Sequence, residues 1–369
     1  MQKIKGTYAS AVVYSDTAED YALAQVKMIC DQEAAEGSQI CLMPDIHPGK
    51  VGPIGLSMTI KDKVLPALLG ADIGCGISYF KIKPTKIEFQ KLDTIIREHI
   101  PSGNQNRKDP HCYSSDFDFS DLRCGKHIDQ QRAILSLGTL GGGNHFLEVD
   151  QDEEENLYFL CHSGSRYLGG IVTEYYLKAG QQALKAKGIS IPYELTYLTG
   201  NLMEDYLQDV REVQGFAMLN REIMLSELQK RLKLKPEYFG ESIHNYVDEN
   251  RILRKGAIAA YAEDEVIIPI NMRDGVLLGY GKGNPAWNDS APHGAGRVLS
   301  RQDILKRYTL SEFKKTVSGI HSVTVCRETL DEAPFAYRGI EEIAQSVKDS
   351  VEIEKVIKPL YNYRGTERR

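Results

Sequence analysis

Asp72 and Cys75 are the two side chains of this sequence whose types and spacing most directly suggest metal chemistry. They lie in a glycine-rich stretch, Gly70–Gly76, which favours a tight turn because each glycine in a helix interior costs about 1 kcal/mol relative to alanine. Such a turn would let both side chains enter one cavity. A carboxylate beside a thiolate, with histidines elsewhere in the chain, suits a divalent transition metal. A buried structural cysteine beside a capping aspartate is the alternative that this stretch leaves open.

Two histidines that could complete a metal site follow further glycine-containing segments. Four glycines lead into an alternating strand, and if that strand begins at Asn144, then Asn144 and Glu148 share one face and His145 lies on the other. A metal could then bind on the His145 side and a polar substrate on the opposite side, whereas a simple glycine-rich hairpin is the alternative. His162 ends the next strand, before a Ser-Gly-Ser-Arg loop in which Arg166 could bind an anion.

A third segment, Ser290–Arg297, places His293 between a proline and a Gly-Ala-Gly loop. Backbone that can be approached this closely suits a nucleophile or a phosphate contact better than core packing. Arg297 could hold a phosphate through two hydrogen bonds. The pattern around His244 predicts the start of a helix, where a single histidine is more typical of a hydrogen-bonded polar residue than of a metal ligand.

Three other polar segments have less specific patterns. The prolines and glycines of Pro44–Gly52 predict a loop, either functional or simply polar surface. Arg254–Ala257 is a local basic segment or a solvated face. Residues 101–126 contain His111, Cys112 and Cys124, and His127 follows them. The spacing of these four residues matches no standard zinc site, so residues 101–126 predict a mobile loop or lid.

The elements that must position these residues alternate along the chain without an internal repeat or linker. Strands are predicted at Ala11–Tyr14, Ile40–Met43, Ile77–Ile82, Asn156–Cys161, Val266–Pro269 and Val276–Tyr280, and helices at Glu19–Cys30, Ile87–His99, Asp129–Leu137, Gly169–Lys187 and Leu202–Leu232. Periodicity alone indicates a mixture of α and β structure in one compact domain.

Composition limits the classes of protein that this chain can be. With 369 residues, 42% hydrophobic and 26% charged, it is typical of a globular protein with a large core. The formal charge of −6 provides no general basic field, so a nucleic acid would have to be bound by a local patch. Seven cysteines without a framework spacing, no secretory apolar segment and no apolar run of about 18 residues predict a reduced, cytoplasmic protein without membrane contact.

Seven ordered blocks of the sequence resemble the RtcB-type RNA ligases, which join RNA ends using GTP and manganese. The blocks are PDIHPGKVGPIG, GADIGCG, GGGNHFLE, HSGSR, IHNY, RKGA and SAPHGAGR. The resemblance covers nearly the whole chain. It implies an α+β fold with mixed β-sheets flanked by helices around a dinuclear metal cleft, in a single domain of residues 1–369.

The resemblance also implies a role for each matched residue. Two Mn²⁺ ions would share Cys75, with His145 and His162 completing one site and Asp72 and His244 the other. His293 matches the histidine that becomes guanylylated. The guanylate contacts that the resemblance implies are Asn144, Glu148, Asn271, Ser290, His293, Gly294, Ala295, Gly296, Arg297, Tyr337 and Arg364, and Arg166 and Asn245 match positions near the metals and the RNA phosphate.

The implied activity joins an RNA 3′-phosphate or 2′,3′-cyclic phosphate to a 5′-hydroxyl, through GMP–histidine and an RNA-3′-pp-G end, in RNA repair or tRNA splicing. Two departures point to a divergent subgroup: Asn271 stands where many members have serine, and Arg364 where lysine is usual. We expect them to affect guanine selectivity, since arginine and lysine are not interchangeable. The alternatives are an RNA-end enzyme with only partial chemistry, such as cyclic phosphate hydrolysis, a non-catalytic RNA-binding paralogue, or an unrelated mononuclear hydrolase.

Overall fold

A computed structural model describes residues 1–366, so the last three positions of the predicted 1–369 domain lie outside the described residues. The strands are β1 (Gln2–Lys5), β2 (Ser10–Val13), β3 (Ile40–His47), β4 (Ile54–Thr59), β5 (Lys63–Val64), β6 (Gly76–Ile82), β7 (Phe146–Gln151), β8 (Leu157–Ser163), β9 (Leu198–Thr199), β10 (Tyr238–Ile243), β11 (Asn245–Val247), β12 (Ile252–Lys255), β13 (Ala257–Ala259), β14 (Glu265–Asn271), β15 (Gly275–Gly281), β16 (Ser290–Pro292) and β17 (Val351–Arg364).

The α-helices are α1 (Asp20–Cys30), α2 (Pro66–Leu69), α3 (Phe89–His99), α4 (Gln130–Ser136), α5 (Arg166–Ala186), α6 (Gly200–Leu232), α7 (Arg301–Arg307), α8 (Leu310–Thr316) and α9 (Ile340–Ser346). Short 3₁₀ helices occur at Glu33–Ala35, Cys112–Asp116, Phe119–Asp121, Gly125–His127, Tyr193–Leu195, Pro285–Trp287, Arg327–Glu332 and Pro334–Ala336. No helix within residues 1–366 is both long enough and apolar enough to cross a membrane.

Two large sheets form the framework, which confirms the predicted α+β class. One has six strands in the order β1-β2-β3-β4-β12-β11, and within it β2 and β3 run parallel. The other has seven strands in the order β10-β6-β8-β7-β17-β15-β14, all antiparallel. Two further pairs, β13-β16 and β5-β9, complete the sheet structure.

The long helix α6 joins the two halves of the core. Its residues Val213 and Phe216 pack in a cluster with the six-stranded sheet, whereas Met224 and Leu228 pack in a cluster with the seven-stranded sheet. Strand β8 is buried along its whole length, because α6 contacts it and alternate residues enter two different apolar clusters. A strand buried on both faces explains its continuous apolar run.

Most predicted elements are confirmed within a few residues, but two predictions are wrong. Pro44–His47 continue strand β3 instead of forming a loop. The pairing of β3 with β4 is interrupted between Leu42 and His47. Pro44, which has no N–H to donate, therefore lies where β3 makes no ladder hydrogen bond to β4. The helix predicted at His244 is absent from the described chain. Ile243 ends β10, where it pairs with Gly76 of β6, and Asn245 begins β11.

The segment 101–126 packs on the body of the protein. Phe119, Leu122 and Cys124 join the large apolar cluster, and His111 Nε2 lies 3.0 Å from a carboxylate oxygen of Glu227 in α6. Its predicted mobility stays a prediction. Arg254, by contrast, is fully buried with Lys255 nearly so, which overturns the interpretation of that segment as a solvated face.

Candidate active site

The turn before β6 brings Asp72 and Cys75 into one cluster with three histidines, in which all side chains but that of Asp72 are buried. Gly74 adopts a φ of +74°, and the Cys75 amide donates to the Asp72 carbonyl across 3.1 Å, so the predicted tight turn is present. Gly164 lets the loop after β8 approach this turn, because a Cβ added there would lie 2.1 Å from an Asp72 carboxylate oxygen. Close approach of two backbones is the reason for glycine at this position.

Five donor atoms meet here, and we call these five residues the metal cluster because their donors suit a metal ion. Cys75 Sγ lies 3.4 Å from His162 Nε2 and 3.5 Å from His145 Nε2. His162 Nε2 lies 3.3 Å from His244 Nε2, and His145 Nε2 lies 3.5 Å from an Asp72 carboxylate oxygen. The donors form two groups that share Cys75, one with His162 and His244 and one with Asp72 and His145. The resemblance pairs His145 with His162 instead, so the division of ligands between two ions stays a prediction.

The chemistry of the histidines fits metal binding. Nδ1 of His145 lies 2.9 Å from the Leu140 carbonyl, and Nδ1 of His162 lies 3.1 Å from the Asn144 carbonyl. A histidine that donates Nδ1–H to a carbonyl presents an unprotonated Nε2, which is the form that binds a metal. Burial also lowers the pKa of His162 and His244 well below the usual range, which keeps both rings neutral.

Cys75 completes the fit in a different way. Burial raises the pKa of its thiol well above the usual value. A bound dication reverses this effect, since coordination deprotonates a thiol outright. The site therefore offers one carboxylate, one thiol and three imidazoles, a set that suits a transition metal and leaves the structural-cysteine alternative without an explanation for the histidines.

His293 lies beside this cluster and is held by Asp45. Its ring centre is 4.8 Å from that of His244, and its Nδ1 lies 2.7 Å from Asp45 Oδ2. His47 Nδ1 in turn lies 2.8 Å from the Asp45 carbonyl, and burial lowers the pKa of His47 to about 4. The sequence leaves the segment that contains Asp45 open as functional or as polar surface, and assigns no role to Asp45 itself, although it belongs to one of the seven matching blocks.

A cavity of about 720 Å³ opens in front of these histidines. Most of the predicted site residues line it: Asp72, Asn144, Glu148, His162, His244, Asn245, Asn271, His293, Gly294, Ala295, Gly296, Arg297, Tyr337 and Arg364. Cys75 and His145 lie in the metal cluster but do not line the cavity. His47, Lys50, Lys255 and Arg301 do line it, and the sequence analysis assigned none of them to the site.

Two predicted contacts lie outside the cavity lining. Ser290 is fully buried, where its hydroxyl donates to the Asn288 carbonyl across 2.7 Å and accepts from the Arg254 guanidinium across 2.8 Å. Arg166 begins α5 and donates to the Gly103 carbonyl across 3.2 Å and to the Thr139 hydroxyl across 3.3 Å. Both side chains thus have structural partners in the protein itself.

One end of the cavity is built around a buried carboxylate, Glu332. It receives Arg364 Nη1 at 3.1 Å and Arg297 Nη1 at 3.4 Å, and it also contacts Arg301 and the Tyr337 hydroxyl. Burial alone would raise the pKa of Glu332, but the three arginines lower it overall. Since three cations surround this carboxylate, this end of the cavity favours an anionic ligand.

Glu148 faces the same end of the cavity from β7. It is almost fully buried and accepts a hydrogen bond from the Asn362 side chain. Burial raises the pKa of Glu148 to about 7. Arg364 Nε–H, also buried, has no hydrogen-bond partner among the described residues. This end of the cavity therefore combines an acceptor and an unpaired donor, as base recognition requires.

Asn271 has a local role that explains its presence. Its Oδ1 accepts from the backbone amides of Arg273 and Asp274, each at 3.0 Å, and its Nδ2 donates to Asp274 across 2.9 Å. The side chain closes the turn between β14 and β15, in the manner of an Asx turn. Asn271 therefore sets the shape of this hairpin.

Comparison with known proteins identifies relatives along most of the chain. The family model described as tRNA-splicing ligase RtcB matches residues 33–120 and 114–365. The chain is 30% identical to RNA-splicing ligase RtcB1 of Escherichia coli strain ATCC 25922, over 85% of this chain and 87% of that protein. It is 29% identical to RNA-splicing ligase RtcB of E. coli K12, with the same coverage, and 26% identical to tRNA-splicing ligase RtcB of Nanoarchaeum equitans, over 95% and 92%.

Proposed function

The chain belongs to the RtcB family of tRNA-splicing ligases, and on that premise we propose that it joins RNA 3′-phosphate or 2′,3′-cyclic phosphate ends to 5′-hydroxyl ends at the expense of GTP. The observation that carries the proposal is the contact between Asp45 Oδ2 and His293 Nδ1, at 2.7 Å. With Nδ1–H donated to the carboxylate, Nε2 of His293 is left as the free nucleophilic nitrogen beside the cavity.

The first step forms a bond between His293 Nε2 and the α-phosphorus of GTP, and the bond from that phosphorus to pyrophosphate breaks. Positive charge develops on the imidazole as the bond forms. The buried Asp45 carboxylate stabilises that charge and holds the ring in the reactive tautomer, as the aspartate of a catalytic triad does. Asp45 is therefore a positioning residue, and His293 the catalytic one.

Two further displacements complete ligation. An oxygen of the RNA 3′-phosphate attacks the guanylate phosphorus, the bond to Nε2 breaks, and the RNA-3′-pp-G end forms. A 2′,3′-cyclic phosphate first takes up water to give this 3′-phosphate. The 5′-hydroxyl of the second strand then attacks the RNA phosphate, loses its proton to solvent, and expels GMP as a 3′–5′ linkage forms. Dividing one difficult reaction among easier steps is the advantage of a covalent intermediate.

In this scheme GTP and the RNA phosphate bind to different parts of the site. We assign the part of the cavity lined by Glu148, Tyr337 and Arg364, called the guanylate end, to the base and ribose of GTP. We assign the arginines around Glu332 and the loop Gly294–Arg297 to the phosphates of GTP, because arginine forms strong hydrogen bonds with phosphate oxygens. We assign Asn245, whose side chain donates to the Asp72 carbonyl across 3.3 Å, to the RNA phosphate, and with it Arg166, whose charge acts on Asp72 and Cys75 from outside the cavity lining.

Asp72, Cys75, His145, His162 and His244 would hold two Mn²⁺ ions. When bound, such ions neutralise phosphate charge and orient the reacting groups. The residues of the chain do the rest: His293 carries the guanylate, Asp45 positions it, and the arginines around Glu332 hold anions. We place this activity in RNA repair or tRNA splicing in the cytoplasm.

The test is incubation with α-labelled GTP and Mn²⁺, followed by denaturing separation. Label that survives denaturation, is lost in acid and is absent from His293→Ala is the expected result. Absence of label from protein that contains metal would overturn the GTP step. It would leave the partial-chemistry alternative, which a cyclic phosphate hydrolysis assay on the same protein identifies, or a non-catalytic RNA-binding role.

A further inference from the structure

A groove leads away from the metal cluster along the face of α5. Its first part is an arm of the main cavity, lined by the middle of α5 and by Tyr193. A second cavity of about 410 Å³ shares Lys50, Val51 and Glu194 with this arm and extends it to Tyr21 on α1. We call the arm and the second cavity together the α5 groove. None of the roles assigned above uses it.

Exposed aromatic rings lie at two points along the α5 groove. Tyr193 is 37% exposed and Tyr21 is 64% exposed. Bases of single-stranded RNA stack on exposed aromatic rings along a groove, and this stacking tolerates any base sequence. Since two rings lie along one path from the metal cluster, the groove suits successive nucleotides of one strand.

The polar residues of the α5 groove suit the end of an RNA strand that lacks a terminal phosphate. Lys50, which is exposed, provides a cation where the arm meets the second cavity. Glu174 of α5 faces the arm beside the Tyr193 hydroxyl, and Glu194 lines both parts. These carboxylates can accept hydrogen bonds from a ribose hydroxyl or from base N–H groups, whereas they repel a terminal phosphate.

We propose that the α5 groove binds the 5′-hydroxyl RNA strand, with its terminal nucleosides stacked on Tyr193 and Tyr21. This inference rests on the proposed function. In-line displacement puts the attacking oxygen and the leaving GMP on opposite sides of the phosphorus. GMP leaves from the guanylate end, which is built from β7, β17 and the Glu332 region. The α5 groove is built from other elements, so it is the part of the site that remains for the attacking strand.

The test measures the KM of the 5′-hydroxyl strand in ligation by Tyr193→Ala, Tyr21→Ala and Tyr193→Phe. Loss of one stacked base is expected to raise this KM by about fivefold to a hundredfold in each alanine variant. Tyr193→Phe keeps the ring and is expected to stay near wild type. Tyr280→Ala is the matched control, because Tyr280 is 44% exposed and lines neither part of the α5 groove. GMP labelling and RNA-3′-pp-G formation, measured without the second strand, are expected to be unchanged.

In the ligation assay, two outcomes would overturn the proposal. An unchanged KM in both alanine variants would show that the rings do not bind the strand. A loss of RNA-3′-pp-G formation would show that the groove holds the 3′-phosphate strand instead. Failure of GMP labelling in wild type would contradict the proposed function and not the role of the groove. In that case, fluorescence anisotropy of labelled 5′-hydroxyl RNA without GTP tests RNA binding by the groove alone. Weaker binding by Tyr193→Ala than by Tyr193→Phe supports it, and equal binding overturns it.

Discussion

Asp45 Oδ2 lies 2.7 Å from Nδ1 of His293, although 248 residues separate the two positions in the sequence. Asp45 lies in β3 and is fully buried, and its other carboxylate oxygen has no hydrogen-bond partner among the described residues. His293 follows β16 directly. The contact therefore depends on the tertiary structure that brings these two strands together, and it selects which ring nitrogen faces the cavity.

Replacing Asp45 by asparagine tests this relationship. Asp45→Asn keeps the size of the side chain but removes the charge that stabilises the imidazolium, so the rate of GMP labelling is expected to fall by roughly 10²-fold or more. Bound metal and melting temperature are expected to stay at wild-type values, which separates a positioning role from a merely structural one. Asp62→Asn, at a side chain that is 77% exposed, is the control. Labelling by Asp45→Asn at the wild-type rate would refute the role given to Asp45.

The metal cluster is tested by metal content after dialysis. Cys75→Ala is expected to lose both ions, because its sulfur belongs to both donor groups. Cys161→Ala is the matched control, since Cys161 is equally buried but packs in the apolar cluster of the seven-stranded sheet. Retention of two ions per chain by Cys75→Ala would disprove a shared thiolate.

A double variant decides how the other four ligands are divided. In the structure, Asp72 and His145 belong to one donor group. Replacing both by alanine is then expected to leave one ion per chain, bound by the intact group. If the two residues serve different ions, each site loses a ligand, and both ions are expected to be lost together. Metal analysis of Asp72→Ala/His145→Ala therefore distinguishes the grouping in the structure from that implied by the resemblance.

The sequence predicted the local parts of the site better than the contacts between them. The turn at Gly74 and the hairpin between β14 and β15 follow from glycine and turn chemistry, and both are present. The sequence predicts a helix at His244, because a short segment shows no decisive periodicity and the strand before it, β10, pairs with β6, which is far away in sequence. Asp45 and Arg301 were missed for the same reason. Each acts through a partner that only the fold supplies, His293 and Glu332 respectively.

Arg364 tests base recognition at the guanylate end. Its Nη1 binds Glu332, whereas its buried Nε–H has no partner among the described residues and can donate to a guanine oxygen or nitrogen. Arg364→Ala is expected to reduce the preference for GTP over ATP in labelling by about fivefold to a hundredfold, the value of one good base contact. Arg273→Ala is the control, because Arg273 is exposed in the turn between β14 and β15. An unchanged GTP preference would place base recognition elsewhere.

Glu148 predicts a pH dependence of base selectivity. Burial raises the pKa of Glu148 to about 7, and burial together with the Glu148 charge raises the pKa of neighbouring Asp150 as well. Only the carboxylate form of Glu148 can accept from two N–H groups of guanine with its two oxygens, because protonation turns one of these oxygens into a donor. Below this raised pKa Glu148 carries a proton in the free protein, and it must lose that proton before GTP binds. GTP affinity is expected to weaken below neutral pH, by at most about tenfold per pH unit.

The dissociation constants of GTP and ATP are best compared in His293→Ala, which cannot form the covalent intermediate. Metal and phosphate contacts are common to both nucleotides, so their own pH dependence cancels in the ratio. The GTP preference is expected to decline as the pH falls from about 8 to about 6. It is expected to be smaller and independent of pH in His293→Ala/Glu148→Gln, since an amide does not titrate in this range. A ratio that does not change with pH in His293→Ala would exclude Glu148 as the group that distinguishes guanine from adenine.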